Sequence, residues 1–97
     1  MPLTVIATLR AKQGLEQALF DALKALLAPT RAEAGCVIYD MHRSTEEPGT
    51  FKFFEIWESR PHWEAHMQTP HLTAFAARQA ELAESWELFV GEKVEAP

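Results

Sequence analysis

The chain has 97 residues, of which 47% are hydrophobic and 24% are charged, a composition that fits one globular domain spanning residues 1–97. Its 9 basic and 14 acidic residues give a net charge of −5, and the scattered basic residues argue against nucleic acid or an anionic membrane surface as a partner. The single cysteine, Cys36, rules out an internal disulfide and favours the cytoplasm. No basic region precedes the first apolar run, so we expect no signal peptide.

The hydrophobic pattern predicts the order βαββαβ, with the second helix broken. In chain order we expect a strand over residues 3–10, a helix along the leucine stripe of residues 15–27, and strands over residues 36–42 and 50–58. A short helix should then open at Ser59 and Pro61, and a second should open at Thr69 and Pro70 and run to about residue 83. Residues 86–94 should form the last strand. This order predicts a ferredoxin-like α+β fold with a four-stranded antiparallel sheet.

Both faces of the predicted sheet are apolar. On the third strand Phe51, Phe53 and Trp57 point one way, whereas Phe54 and Ile56 point the other way. Helices cover only one face of such a sheet, so the second face would be a large exposed apolar patch. We therefore expect a homodimer packed sheet to sheet. The alternative is a monomer whose tail covers that face, but three tail residues are too few.

An acid and an indole on the third strand mark the candidate site. Glu55 is the only acid in the interior of a largely apolar strand, and it shares a side with Phe53 and Trp57. If that side faces the helices, burial would raise the pKa of Glu55 and make it a base or a hydrogen-bond partner. The alternative is an acid whose carboxylate reaches water or an arginine. Trp57 could form the wall of a pocket for a planar ligand, or only fill the core.

Histidines follow the strand on the broken helix. His66 ends the short helix and could transfer protons, although a capping or solvated histidine would have the same position. His71 lies in the first turn of the next helix, and Tyr39 on the second strand could point its hydroxyl into a cavity. His62 and His66 are one helical turn apart, but the segment HWEAH departs from the HExxH zinc signature. We therefore expect no metal.

These residues resemble the antibiotic biosynthesis monooxygenase superfamily, in particular its small bacterial quinol monooxygenases. The resemblance rests on Glu55-Ile56-Trp57, on the segment AHMQTPH of residues 65–71, on the opening LTVIATLRAKQG, and on Gly35-Cys36 before Tyr39. It implies a dimeric α+β barrel with a hydrophobic pocket between sheet and helices. It also implies oxygenation of small aromatic quinols or phenols by molecular oxygen, without flavin, haem or metal.

The resemblance also implies roles for individual residues. His66 would be the base or proton shuttle. Glu55 would orient or polarise His66, or hydrogen-bond the substrate. Trp57 would line the pocket, and Tyr39, His71 and Phe53 would complete the substrate-binding set.

Other activities stay open within the same superfamily. The haem-degrading branch uses an Asn on the first strand, and residues 3–10 contain none. An isomerase or lyase could use the same base on a small oxygenated metabolite, and a phosphorylated one would require Arg10, Arg31 and Arg43 to converge. A third possibility is a non-catalytic dimeric module that binds a hydrophobic ligand.

Overall fold

A computed structural model of the chain describes residues 1–96. It contains strand β1 (Leu3–Ala11), helices α1 (Glu16–Lys24) and α2 (Leu27–Arg31), strands β2 (Cys36–Arg43) and β3 (Thr50–Trp57), helices α3 (Arg60–His66) and α4 (Pro70–Leu82), and strand β4 (Ala83–Gly91). Among these residues no helix is long and apolar enough to cross a bilayer.

The four strands form one antiparallel sheet in the order β2-β3-β1-β4. The two central strands are consequently β1 and β3, the chain reaches each edge strand, β2 and β4, through a helical crossover, and a hairpin joins β2 to β3. This is the ferredoxin-like α+β fold predicted from the order of the elements.

The core lies between the sheet and the helices. Alternate residues of β1 and β3 point into it, because side chains on a strand alternate between its faces. The buried set includes Val5 on β1, Phe53 and Trp57 on β3, and Leu19 and Leu23 on α1. The question of which side of β3 faces the helices is thereby answered: it is the side that carries Glu55.

The opposite sheet face carries a row of three apolar side chains. Ile6 pairs with Phe54 on one neighbouring strand and with Phe89 on the other. Phe54 is 38% exposed and Phe89 is 57% exposed. Residues 92–96 are exposed and form no regular structure, so this tail does not shield the row.

Two elements differ from the sequence prediction. The leucine stripe forms two helices and not one. Pro29 lies in the first turn of the second, α2, where its missing N–H leaves no helical hydrogen bond unmade. The last strand covers residues 83–91 and not 86–94, because α4 passes directly into it at Ala83, which pairs with Ala11. It ends at Gly91, the pairing partner of Thr4 near the start of β1.

Two predicted helix caps fix the corner between α3 and α4, which carries His66 and His71. The hydroxyl of Ser59 accepts a hydrogen bond from the backbone N–H of His62, and the hydroxyl of Thr69 accepts one from that of Leu72. Each cap is followed by a proline in the first helical turn, as expected. Because α3 ends at His66 and α4 starts only four residues later, the chain bends sharply between His66 and His71.

Candidate active site

A cavity of about 360 Å³ lies between the sheet and the helices. Its lining is mostly apolar and comes from α1, α3, α4 and all four strands. The lining residues are Ala7, Leu9, Leu23, Leu26, Tyr39, Phe53, Glu55, Trp63, His66, Met67, Leu72, Phe75, Ala76, Gln79, Trp86, Glu87 and Leu88. An apolar cavity with a few converging polar groups is the usual form of a small-molecule site.

His66 is the buried base candidate on the cavity wall, with only 2% of its surface exposed. Its ring packs at 4.7 Å from the Trp57 ring and edge-on at 5.6 Å from the Tyr39 ring. Burial lowers the pKa of His66 below its ordinary value, and the hydrogen bond to Glu33 acts in the opposite direction. Within residues 1–96, Nε2 of His66 makes no hydrogen bond with a protein group.

Glu33 is the carboxylate that holds the two histidines of the corner. Its Oε2 lies 2.8 Å from Nδ1 of His66 and 2.7 Å from Nε2 of His71. Nε2 of His71 also lies 3.3 Å from the hydroxyl of Thr69, the residue that caps α4. Glu33 comes from the α2–β2 connection, so one short loop sets the orientation of both imidazoles.

Glu55 occupies a separate position on the cavity wall. Its Oε1 accepts a hydrogen bond of 3.0 Å from Nε1 of Trp57. Burial raises the pKa of Glu55 to about 7, while the Trp57 hydrogen bond lowers it and the charge of Glu33 raises it. No hydrogen bond joins Glu55 to His66 within residues 1–96, and the carboxylate that contacts His66 is Glu33. The geometry therefore favours Glu55 as a partner for a ligand and not as the orienting group of His66.

Tyr39 and Phe53 form an aromatic wall next to these groups. Their ring centroids are 4.9 Å apart. Burial raises the pKa of Tyr39 far above its ordinary value, and the charge of Glu55 adds to the effect. The phenol of Tyr39 accordingly stays protonated and is able to donate a hydrogen bond.

Four of the six predicted site residues line the cavity: Tyr39, Phe53, Glu55 and His66. Trp57 and His71 do not. Trp57 is fully buried behind the His66 ring, so it supports that ring and does not form the pocket wall expected of it. His71 lies on the far side of Glu33, where it contacts the carboxylate and not the cavity.

The sequence did not reveal the role of Glu33. It lies in a loop and makes its contacts with residues 33 and 38 positions further along the chain, and nothing in the local pattern signals such contacts. Trp63 and Trp86 line the cavity as well. Periodicity identifies them as apolar but does not indicate that the space beside them is empty.

One cluster has the composition of a metal site. Glu33, His66 and His71 each offer one ligand atom, and these atoms lie within 4.8 Å of one another. The N···O separations of 2.7 and 2.8 Å are also those of charge-assisted hydrogen bonds. The pair considered from sequence does not form, because His62 turns away from His66: its Nδ1 lies 2.7 Å from the Ser59 hydroxyl.

The three arginines considered for phosphate binding point to separate places. Arg10 pairs with Glu87 on β4, and Arg31 pairs with Asp40 on β2. Arg43 lies over the ring of Phe20 on α1. No shared anion site results from these three contacts.

The sequence profile of the antibiotic biosynthesis monooxygenase family matches residues 2–78. The chain belongs to the antibiotic biosynthesis monooxygenase family. This match spans β1 through most of α4, and it includes Glu33, Glu55, His66 and His71.

Individual relatives agree with the family assignment. The protein is 33% identical over 84 residues to the probable quinol monooxygenase YgiN of Escherichia coli, covering 76% of this chain and 81% of YgiN. It is 27% identical over 81 residues to the uncharacterized protein sll1783 of Synechocystis sp., covering 84% of this chain but only 55% of sll1783. The chain thus spans about half the length of sll1783.

Solved structures show the same fold. PA3566 from Pseudomonas aeruginosa superimposes with a TM-score of 0.93 at 35% identity, covering 97% of this chain and 95% of that one. Rv0793 from Mycobacterium tuberculosis superimposes with a TM-score of 0.92 at 31% identity, covering 99% and 98%. The ferredoxin-like arrangement is therefore shared across most of each chain.

Proposed function

We propose that this chain oxygenates small electron-rich quinols or phenols with molecular oxygen, without a bound cofactor. The observation that carries the proposal is the position of His66: a buried imidazole on the wall of an apolar cavity, in contact with two aromatic rings, with one ring nitrogen that makes no hydrogen bond to a protein group among residues 1–96. Family membership supports the reaction class, and the name of the relative YgiN supports quinols as the substrate class.

The first step is removal of a proton. Nε2 of His66 takes the proton of a phenolic O–H, and the lowered pKa of His66 keeps the imidazole neutral and ready to act near pH 7. Glu55 and Tyr39 both line the cavity, and in this proposal their polar groups hydrogen-bond the substrate oxygens. The phenolate is then held in a largely apolar cavity that limits its contact with water.

The second step is electron transfer to oxygen. The phenolate gives one electron to O₂, and the resulting phenoxyl radical and superoxide combine at a ring carbon. The peroxide then loses water. Overall, one quinol and one O₂ give one hydroxyquinone and one water, so the substrate is the only electron donor required.

We also propose that the chain works as a homodimer in the cytoplasm. The row of Ile6, Phe54 and Phe89 supports a second copy packed on the open sheet face, which would complete a dimeric α+β barrel. The free thiol of Cys36 supports a reducing compartment.

Oxygen uptake with a panel of substituted hydroquinones tests the proposed reaction. We expect uptake by the wild-type protein, and a loss of about 100-fold or more in kcat for His66→Ala, the range typical of a lost general base. Glu55→Gln should weaken turnover less. His62→Ala is the matched control, because His62 contacts Ser59 and does not line the cavity.

Three results would contradict the proposal. Quinol conversion without oxygen uptake would indicate an isomerase or lyase. Tight binding of a quinone with no conversion would indicate a binding module. Wild-type rates in His66→Ala would remove His66 as the base.

A further inference from the structure

We propose that Glu33 is a positioning residue: it fixes the tautomer of His66 so that Nε2 presents a lone pair to the cavity, and it stabilises the imidazolium that forms there. The inference rests on the proposed function for the source of the proton. The tautomer itself is a property of the substrate-free protein.

The hydrogen-bond inventory of the corner determines the tautomer. An ionised carboxylate only accepts hydrogen bonds, so both ring nitrogens that face Oε2 of Glu33 must be donors. Nδ1 of His66, at 2.8 Å, therefore carries the ring proton. In a neutral imidazole the other nitrogen is then unprotonated, which leaves Nε2 as the basic atom.

His71 restricts the carboxylate to this orientation. Its Nε2 donates to the same oxygen from 2.7 Å, and Glu33 keeps only 13% of its side-chain surface exposed. His71 is fixed in turn by the first turn of α4 and by its contact with Thr69. Two donors on one oxygen hold the carboxylate more firmly than one would, so the His66 ring keeps one orientation.

The charge of Glu33 offsets part of the cost of burying a cation. When Nε2 accepts a proton, His66 becomes an imidazolium in a site that burial makes unfavourable for charge. Glu33 is the carboxylate in direct contact with that ring. A variant that lacks the charge of Glu33 but keeps a hydrogen-bond acceptor should therefore transfer the proton more slowly. A variant that also lacks the acceptor should no longer hold His66 in one tautomer.

Nitrogen-15 NMR of the histidine side chains tests the tautomer directly. In the wild-type protein we expect His66 to be protonated at Nδ1 and unprotonated at Nε2. Glu33→Gln, whose amide oxygen can still accept from Nδ1, should retain this tautomer in the majority of molecules, whereas Glu33→Ala should lose it. The matched control is Glu58→Ala, which removes a carboxylate 3.8 Å from His62 and should leave the His66 signals unchanged.

Kinetics separate positioning from simple structural support. We expect Glu33→Gln to lower kcat by about 10-fold and Glu33→Ala by about 100-fold, with KM little changed, because the lost interaction acts on proton transfer and not on binding. Wild-type His66 protonated at Nε2 would overturn the proposal, as would an unchanged kcat in Glu33→Gln. A chelator that changed the ¹⁵N shifts of both His66 and His71 would also overturn it, since the cluster would then be holding a metal ion.

The two proposals can fail independently. If no quinol is oxidised but the Nδ1–H tautomer depends on Glu33, the proposed function fails and the positioning stands. If quinols are oxidised while His66 carries its proton on Nε2, only the positioning fails.

Discussion

The indole nitrogen of Trp57 donates a hydrogen bond of 3.0 Å to the carboxylate of Glu55, two residues earlier on the same strand. Alternate residues on a strand share one face, so the sequence spacing alone brings the two side chains together. Each depends on the other: the buried N–H finds an acceptor, and the buried carboxylate keeps one donor. Glu55 lines the cavity whereas Trp57 is fully buried beside it, and the pH dependence of folding should report the ionisation state of Glu55.

Glu55→Gln should change how stability depends on pH. The folded-state pKa of about 7 lies above the ordinary value of 4.5, so the folded chain binds the proton more tightly than the unfolded chain does. The wild-type free energy of unfolding should therefore fall as pH rises from 4.5 to 7, by on the order of 3 kcal/mol. Glutamine keeps the acceptor for Trp57 but cannot ionise, so the variant should lack this fall.

Urea unfolding across that pH range measures the difference between the two proteins. The advantage of Glu55→Gln should grow between pH 4.5 and 7 and then level off. Glu58→Gln, at an exposed position, should track the wild type throughout. Parallel stability curves for wild type and Glu55→Gln would contradict the burial of an ionisable Glu55.

The pH profile of kcat/KM should be bell-shaped if the proposed reaction is correct. The rising limb should lie below pH 6.5, because burial lowers the pKa of the His66 base from that ordinary value. The falling limb should lie near 7, because an ionised Glu55 would place a second negative charge beside the phenolate. In Glu55→Gln the falling limb should disappear. A fall that persists unchanged in that variant would assign it to another group.

Charge on the open sheet face should dissociate the proposed homodimer. Phe89→Glu places a carboxylate in the apolar row of Ile6, Phe54 and Phe89, where a partner would bury it at high cost. Sedimentation equilibrium should give twice the 11.0 kDa chain mass for the wild type and the single mass for the variant. Val94→Glu is the control, since Val94 is exposed beyond the sheet. A monomeric wild type at micromolar concentration would refute the assembly.

Gly35→Ala should destabilise the protein more than Gly14→Ala. Both glycines have positive φ, 79° and 86°, a conformation that costs an L-residue roughly 1–2 kcal/mol. At Gly35 the added Cβ would also overlap the His62 ring, whereas at Gly14 it would meet open space. Thermal unfolding should therefore show the larger loss of Tm at Gly35. Equal losses would mean that His62 moves aside freely.

Much of the fold could be predicted from short-range patterns. Alternation on residues 50–57 identified a strand with two apolar faces, and the pairs Ser59–Pro61 and Thr69–Pro70 located two helix starts. The break in the first helix was missed because the leucine stripe continues across Ala25 and Leu26 without interruption. The start of β4 was missed because Ala83 and Glu84 have weak strand propensity, and pairing with β1 overrides it.

The candidate site was also predictable only where a local pattern carries the signal. Glu55 could be selected because an acid is unusual in the interior of an apolar strand. Trp57 and His66 could be selected because the segments that carry them resemble those of the family. Glu33 could not, because its contacts span more than thirty residues and depend on how the loop before Gly35 closes. Nor could the sequence distinguish Trp57, which lies behind His66, from Trp63 and Trp86, which line the cavity.

Helix α4 passes into β4 at Ala83 without a loop, and both elements line the cavity. The wall bearing Leu72 and Phe75 and the wall bearing Trp86 and Leu88 therefore belong to one unbroken stretch of chain. With no spare residues at this junction, the two walls cannot be moved apart by lengthening a connection. A protein of this design would adapt to a bulkier molecule by exchanging large side chains for small ones along that stretch.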